Sequence, residues 1–411
     1  MTSAYQAKPV RKRGVGGINL GVDPWLLGAV LLLVLFGLVM VFSASWELSY
    51  FEYGSHTTMF FRQFQFLLLG IGAAVFVTFV DYHRYRQWAL PIIGVTVVGL
   101  LAVLVLKNVR FNATRTLYEG SGMPSELAKL AIILYLCVWL YSKRHQLNDL
   151  SFGLVPLAVM IGAVGGLILL QPDVSAAFTL VLIGGILFFA AGGDLKQIFI
   201  LLMSAILVGW LVVQLQPTAR TRMADYFDGL RNPTQASFHV RRSIEAFVRG
   251  GLLGTGIDKS VTKLQGLPVP PTDSIFAVVA EETGLLGTTS LIGLYVILTW
   301  RGMKIAKEAP DMLGQLMATG LTFWLVTEAV INMAMMVGLL PFAGNALPFI
   351  SLGGSNLVVS LVSIGILMNI SRLSKEKAGS NERMEYASDG LRRGNRRGDL
   401  SSAGRGASAR R

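Results

Sequence analysis

Cysteine is almost absent from this chain and histidine is scarce. The single cysteine, Cys137, lies within an apolar stretch, so no intramolecular disulfide can form and a cysteine-rich metal site is excluded. His56, His83, His145 and His239 are scattered without the spacing of a ligand set, which argues against a histidine metal centre. Charge is thin as well. Asp, Glu, Lys and Arg make up 15% of the 411 residues, against 53% hydrophobic residues and a mean hydropathy of +0.57. The polar gaps are too short for a soluble domain of ordinary size. No internal repeat is evident, which weakens a transporter built from inverted halves. The first apolar stretch begins too late and runs too long for a cleaved signal peptide, and it lacks Ala-x-Ala-like cleavage chemistry. Much of the net charge of +12 sits in the two termini, where it reads as orientation and contact with anionic lipid rather than nucleic-acid binding.

What the chain has instead is apolar stretches of about 18 or more residues, each able to cross a bilayer as a helix. They predict an all-α polytopic membrane protein. Its ten spans lie near 25–42, 60–80, 88–106, 124–141, 152–170, 174–191, 197–214, 274–300, 313–339 and 349–370. Arg84 and Arg86, Lys143 and Arg144, Lys196, then Arg301, Lys304 and Lys307 fall in alternate loops with the tails, whereas 47–56 and 341–348 hold no Lys or Arg. Both termini are therefore expected in the cytoplasm. Residues 1–22, with Lys8, Arg11, Lys12 and Arg13, read as a basic cytoplasmic tail. Residues 372–411, rich in Gly, Ser and Arg, read as a disordered basic tail that can bind anionic headgroups or an acidic partner, or simply be solvated. The membrane domain spans 23–371, and 216–273 forms a large extracytoplasmic loop between spans seven and eight, basic enough to suggest anionic ligands.

That loop ends at Asp273, at the mouth of the next apolar helix. A carboxylate placed where polar loop meets low dielectric is suited to proton transfer. The same residues, Thr272 and Asp273 ahead of Ser-Ile-Phe-Ala-Val-Val-Ala-Glu-Glu, also read as a helix N-cap. Pro124-Ser125-Glu126-Leu127-Ala128-Lys129 opens span four, and Glu126 and Lys129, spaced i,i+3, share a face. They fit a local salt bridge in a first helical turn, and equally a counter-charge for phosphate. Gln171-Pro172-Asp173 is an ordinary tight turn in composition. Glu281 and Glu282, beside Gly284 and Gly287, and Asn332 in span nine read as packing and interhelical hydrogen bonding. Residues 348–356 start the last span with glycines and hydroxyls, where backbone N–H groups can receive an anion.

In this order the fragments resemble the SEDS family, the FtsW/RodA/SpoVE-like multispan peptidoglycan polymerases of shape, elongation, division and sporulation. Pro124 to Lys129 resembles the family's QPSEFAK block, and Gln171-Pro172-Asp173 its EPD or QPD turn. Ser243-Ile244-Glu245-Ala246 with Gly250-Gly251-Leu252-Leu253-Gly254-Thr255-Gly256 resembles QS-x-x-AI…GGL-x-G-x-G. Thr272 to Gly284 resembles TDFIFAVIAEELG, and the passage from Gly338 through Ser355 resembles GLLPVTGIPLPFISYGGSS. The likeness covers roughly 23–371. It departs where the family's Arg-Trp pair becomes Arg115-Thr116, where LPE-x-HTD becomes Leu267-Pro268-Val269-Pro270-Pro271-Thr272-Asp273, and where Leu352 replaces the tyrosine of SYGG.

The resemblance implies polymerisation of lipid II with release of undecaprenyl pyrophosphate in the bacterial plasma membrane, in division or elongation. It makes Asp273 the catalytic base. Lys129, Arg115 and Arg222 then hold the diphosphate and Glu126 orients Lys129, while Ser125, Asp173, Ser243, Gly251, Thr272 and Ser355 complete the substrate-binding set. It also implies a class B penicillin-binding protein as transpeptidase partner, among divisome or elongasome proteins. No cofactor is evident, although a Mg or Mn ion on the pyrophosphate would need few protein ligands. Two other functions fit ten spans with buried charge: a flippase for lipid-linked precursors, and a non-catalytic scaffold for a transpeptidase.

Overall fold

The computed structural model describes residues 21–106, 123–171 and 173–403, and all its regular elements are helices. The membrane-crossing set is α1 (Pro24–Tyr53), α2 (Thr58–Phe79), α3 (Tyr85–Leu106), α4 (Pro124–Lys143), α5 (Val155–Leu169), α6 (Val174–Ala190) and α7 (Leu195–Leu215). After two helices of the polar passage, α8 (Pro217–Arg231) and α9 (Phe238–Gly250), it resumes with α10 (Ile275–Lys307), α11 (Met312–Met336) and α12 (Gly354–Ala403). Among the described residues nine helices are long and apolar enough to cross a membrane. The tenth expected span, α6, has 17 residues. At 1.5 Å per residue it measures about 26 Å, slightly short of a typical hydrocarbon core.

Local chemistry sets several ends. Asp23 caps α1 by accepting from Leu26 N at 3.0 Å, with Pro24 in the first turn, and Gly54 closes the helix in the left-handed region. The start of α1 meets the last turns of α10 and the middle of α12. There Arg301 forms a two-pronged ion pair with Asp23, and Lys375 donates to Val22 O at 2.8 Å. At the same end Asp311 receives Tyr82 OH at 2.6 Å. Helix α12 continues through Ala403, past the boundary at 372 where the tail was expected to begin. Its extension starts with a proline-free stretch whose Ser374 and Lys377 donate to the carbonyls of Glu308 and Pro310.

Burial separates the centre from the rim. The most apolar window is 72% buried in α11 and in α12, but 6% in α7, so α7 faces outward while α4, α11 and α12 enclose the middle. The last span starts later than its apolar pattern suggests. Residues 339–353 are irregular, and their turns include positive φ at Gly344 and Phe349. Irregular backbone at membrane depth needs protein partners. Gln63 of α2 supplies two, donating to Ser351 O and accepting from Gly353 N, each at 3.2 Å. One N–H near the start of α12 is thereby already taken.

The polar passage is folded onto α10 rather than looping free. Helix α9 turns Val240, Ser243, Ala246 and Gly250 inward, a helical spacing, and a Cβ on Gly250 would fall 2.0 Å from Ala280 O. At Gly284 (φ 65°, ψ −164°) α10 leaves helical geometry and exchanges backbone partners with the glycine run. Leu285 N and Leu286 N bond to Gly251 O and Leu252 O at 2.9 and 3.2 Å. The carbonyls of Glu281 and Glu282 accept from Thr255 N and Gly256 N at 2.9 and 3.0 Å. In an unbroken helix Leu285 N and Leu286 N would have bonded those two carbonyls.

The side chains of Glu281 and Glu282 complete this junction, a more specific task than helix packing. Glu281 accepts from Ser260 Oγ, Val261 N and Thr262 N. Glu282 accepts from Ser43 Oγ of α1 at 2.6 Å and from Lys263 Nζ at 3.1 Å.

Candidate active site

Trp324, Glu328 and Asn332 lie one turn apart on α11, so they form a single stripe, and all three are fully buried. Lys129 of α4 reaches that stripe. Its ammonium donates to the Glu328 carboxylate and pairs with Glu126 Oε2 at 3.0 Å. The i,i+3 pair read from sequence is therefore present, with a second acid opposite it. An ammonium this deeply buried costs several kcal/mol unless its partners are well placed. Trp324 Nε1 fixes Glu328 Oε1 at 2.8 Å. The Asn356 amide spans both acids, 2.9 Å from Glu126 Oε2 and 3.5 Å from Glu328 Oε2.

From Glu328 the polar chain continues toward Asp273. Asn345 Nδ2 donates to Glu328 O at 2.9 Å, and Asn332 Nδ2 donates both to Asn345 O and, at 2.9 Å, to Asp273 O. Asp273 is the last residue of a braced turn. Leu352 N bonds Pro271 O and Ser351 Oγ bonds Thr272 O, each at 2.7 Å. The cap of α10 is Ser274, which makes no side-chain capping bond, so the N-cap sits one residue beyond Asp273. The Asp273 side chain is half-buried, and a Cβ at Gly344 would approach its Oδ2 to 3.0 Å. Glycine with φ +65° at 344 leaves that carboxylate its space.

The other expected site residues take varied positions. Asp173 caps α6, accepting from Ala176 N at 3.2 Å and Ser175 Oγ at 3.0 Å, close enough to Lys129 for its charge to act there. Ser125 is buried in the first turn of α4, and Ser355 Oγ accepts from Met123 N at 2.9 Å, tying α12 to the start of α4. Thr272 Oγ1 turns back to Val269 O at 3.3 Å. Ser243 is fully buried between His239 O and Met336 Sδ, and Gly251 (φ 53°) terminates α9. Arg222 lies 5.8 Å from the Phe342 ring centroid, next to the segment that carries Gly344. Arg115 falls outside the described residues.

His239 stacks on the same Phe342 ring, with the two centroids 3.7 Å apart. Burial first, then the Arg222 charge, push its imidazole down to about 4, so it is neutral near pH 7. Glu328 and Asn345 are not among the residues that the motifs single out. Glu328 carries one available signal, an ionisable side chain inside a long apolar span. Asn345 carries another, since it stands where the pattern GLLPVTGIPLPFISYGGSS has isoleucine. Among the described residues no group of three or more His, Cys, Asp or Glu could hold a metal ion.

Known proteins share this architecture. A probable peptidoglycan glycosyltransferase FtsW of Trichlorobacter lovleyi is 36% identical over 355 residues, covering 85% of this chain and 93% of the relative. The stage V sporulation protein E of Bacillus subtilis is 34% identical over 364 residues, covering 86% and 98%. Among solved structures, a chain from a peptidoglycan synthase complex that coordinates polymerisation and crosslinking superposes with a TM-score of 0.70 at 25% identity, covering 86% of this chain and 98% of that one. The family model for the FtsW, RodA and SpoVE cell cycle proteins matches residues 24–376. With the bundle, the buried lysine and the aspartate-bearing turn all inside that match, this chain belongs to the FtsW/RodA/SpoVE family of cell cycle proteins.

Proposed function

We propose that the chain is a peptidoglycan glycosyltransferase of the plasma membrane that polymerises lipid II into glycan strands. The observation that carries this reading is the continuous polar connection from Asp273 through Asn332, Asn345 and Glu328 to Lys129, inside an otherwise apolar bundle. It bonds the main-chain carbonyls of Asp273 and Glu328, and so ties the backbone that carries a half-buried acid to the backbone of the residue paired with a buried cation, the two functions that glycosyl transfer from a lipid diphosphate needs. The 4-hydroxyl oxygen of the acceptor GlcNAc attacks the anomeric carbon of the lipid-linked MurNAc. Asp273 receives the hydroxyl proton, the bond from the anomeric carbon to the phosphate oxygen breaks, and undecaprenyl pyrophosphate leaves with the electron pair. Lys129, with Arg115 and Arg222, takes the charge of the departing diphosphate, while Glu126 orients Lys129.

In this reading both termini face the cytoplasm and the passage 216–273 lies outside, where the sugar is joined. The partner is a class B penicillin-binding protein that cross-links the new strand, within the division or elongation machinery. The likeness to a chain from a synthase complex that coordinates polymerisation with crosslinking supports that pairing. No step is assigned to a metal ion.

The test is purified lipid II in detergent, where no second leaflet exists. Wild-type protein with its transpeptidase makes glycan strands, and Asp273→Asn, folded and bound to the partner, makes none. Strand synthesis at the wild-type rate by Asp273→Asn removes the base assignment. No polymer from wild type, with precursor transport in vesicles, moves the chain to the flippase class.

A further inference from the structure

Two carboxylates share one ammonium at the centre of the bundle. Glu126 Oε2 and Glu328 both pair with Lys129, so two carboxyl groups face one ammonium in this buried cluster, and Asp173 lies close enough for its charge to act there. Lys129 is 2% exposed and Glu328 is 0% exposed, so neither partner is screened by water. A diphosphate that reaches for Lys129 therefore meets a lysine already engaged. The acid opposing it is also tightly placed, by Trp324 Nε1 on the side chain and Asn345 Nδ2 on the backbone.

We propose that Glu328 is a positioning residue that competes with the lipid diphosphate for Lys129, holding the ammonium before substrate arrives and drawing it back when the product must leave. This rests on the proposed role of Lys129 as the group that carries the diphosphate. The two carboxylates have different tasks. Glu126 sits three residues from Lys129 on α4 and moves with it, so it tilts the side chain. Glu328 belongs to α11, so its pull on Lys129 depends on how α4 and α11 sit against each other. Without Glu328 the pyrophosphate product would contend with Glu126 alone for the cation and would stay bound longer.

The probe is undecaprenyl pyrophosphate in detergent, titrated onto the purified full-length chain. Glu328→Gln keeps the side-chain size and an acceptor for Trp324 Nε1 while removing one negative charge. It should bind the diphosphate about tenfold more tightly, a modest share of what a unit charge at contact distance exerts in a protein interior. In lipid II turnover the same variant should show a lower KM, a lower kcat and stronger product inhibition, a split that simple loss of packing does not give. The double variant Lys129→Met with Glu328→Gln removes a charge pair together and should bind the diphosphate more weakly than wild type. Unchanged or weaker affinity in a Glu328→Gln protein with wild-type melting overturns the competition. If wild type itself binds no diphosphate, or the double variant binds as well as wild type, the Lys129 assignment falls as well.

Discussion

Replacing Glu281 by glutamine should loosen the passage ahead of Asp273 without unfolding the bundle. The carboxylate is fully buried and accepts from Ser260 Oγ, from Val261 N at 3.1 Å, and from Thr262 N at 3.2 Å to both oxygens. Glutamine keeps one oxygen and turns the other position into a donor, which then faces a backbone N–H. A hydrogen bond to a charged group contributes about 1.5–3 kcal/mol, and an unsatisfied buried donor costs a similar amount. A loss of about 3 kcal/mol in local docking follows, which multiplies the open fraction of this segment roughly a hundredfold. Amide hydrogen exchange in nanodiscs reads that directly, at Val261 and Thr262. Glu282→Gln is the control. Its side chain bonds Ser43 and Lys263 instead, so it should leave those two amides protected and loosen the contact with α1. Wild-type exchange at Val261 and Thr262 in folded Glu281→Gln would refute the anchoring.

Three further outcomes are expected. His239 has a folded pKa depressed to about 4 against about 6.5 in the unfolded chain, so its contribution to stability is present above pH 6.5 and fades as pH falls toward 4. Exchange protection of α9 should fall over that window, and His239→Phe, which cannot titrate, should flatten the dependence. Gly344→Val forces a branched side chain into φ +65° and against Asp273 Oδ2, so strand synthesis should fall at least tenfold while expression and partner binding persist. Arg301→Leu strands the buried Asp23 carboxylate and should cost about 3–5 kcal/mol, read as a lower Tm. Adding Asp23→Asn should recover much of it.

Much of the fold is legible in the sequence because a bilayer imposes length and hydropathy on each span, and all ten expected spans have a helix in the structure. The pair Glu126 and Lys129 is legible for a local reason, since i,i+3 spacing fixes it on one turn. Glu328 and Asn345 act across long sequence separations, and periodicity within one span says nothing about which neighbour a side chain meets. The late start of α12 escapes for the opposite reason. Residues 349–353 are apolar enough to read as helix, but Gln63 takes Ser351 O and Gly353 N, and Pro271 O takes Leu352 N. The glycines of 250–256 and 284 mark a close approach without saying that two backbones trade hydrogen bonds there.

That trade makes α10 two mechanical pieces. The stub Ile275–Thr283, with Asp273 just ahead of its first turn, is held by residues 255–262, while the shaft begins with Leu285 and Leu286 bonded to Gly251 and Leu252 and runs on beside α1 and α11. Backbone hydrogen bonds on both sides of one glycine thus link the segment that carries Asp273 to the end of α9.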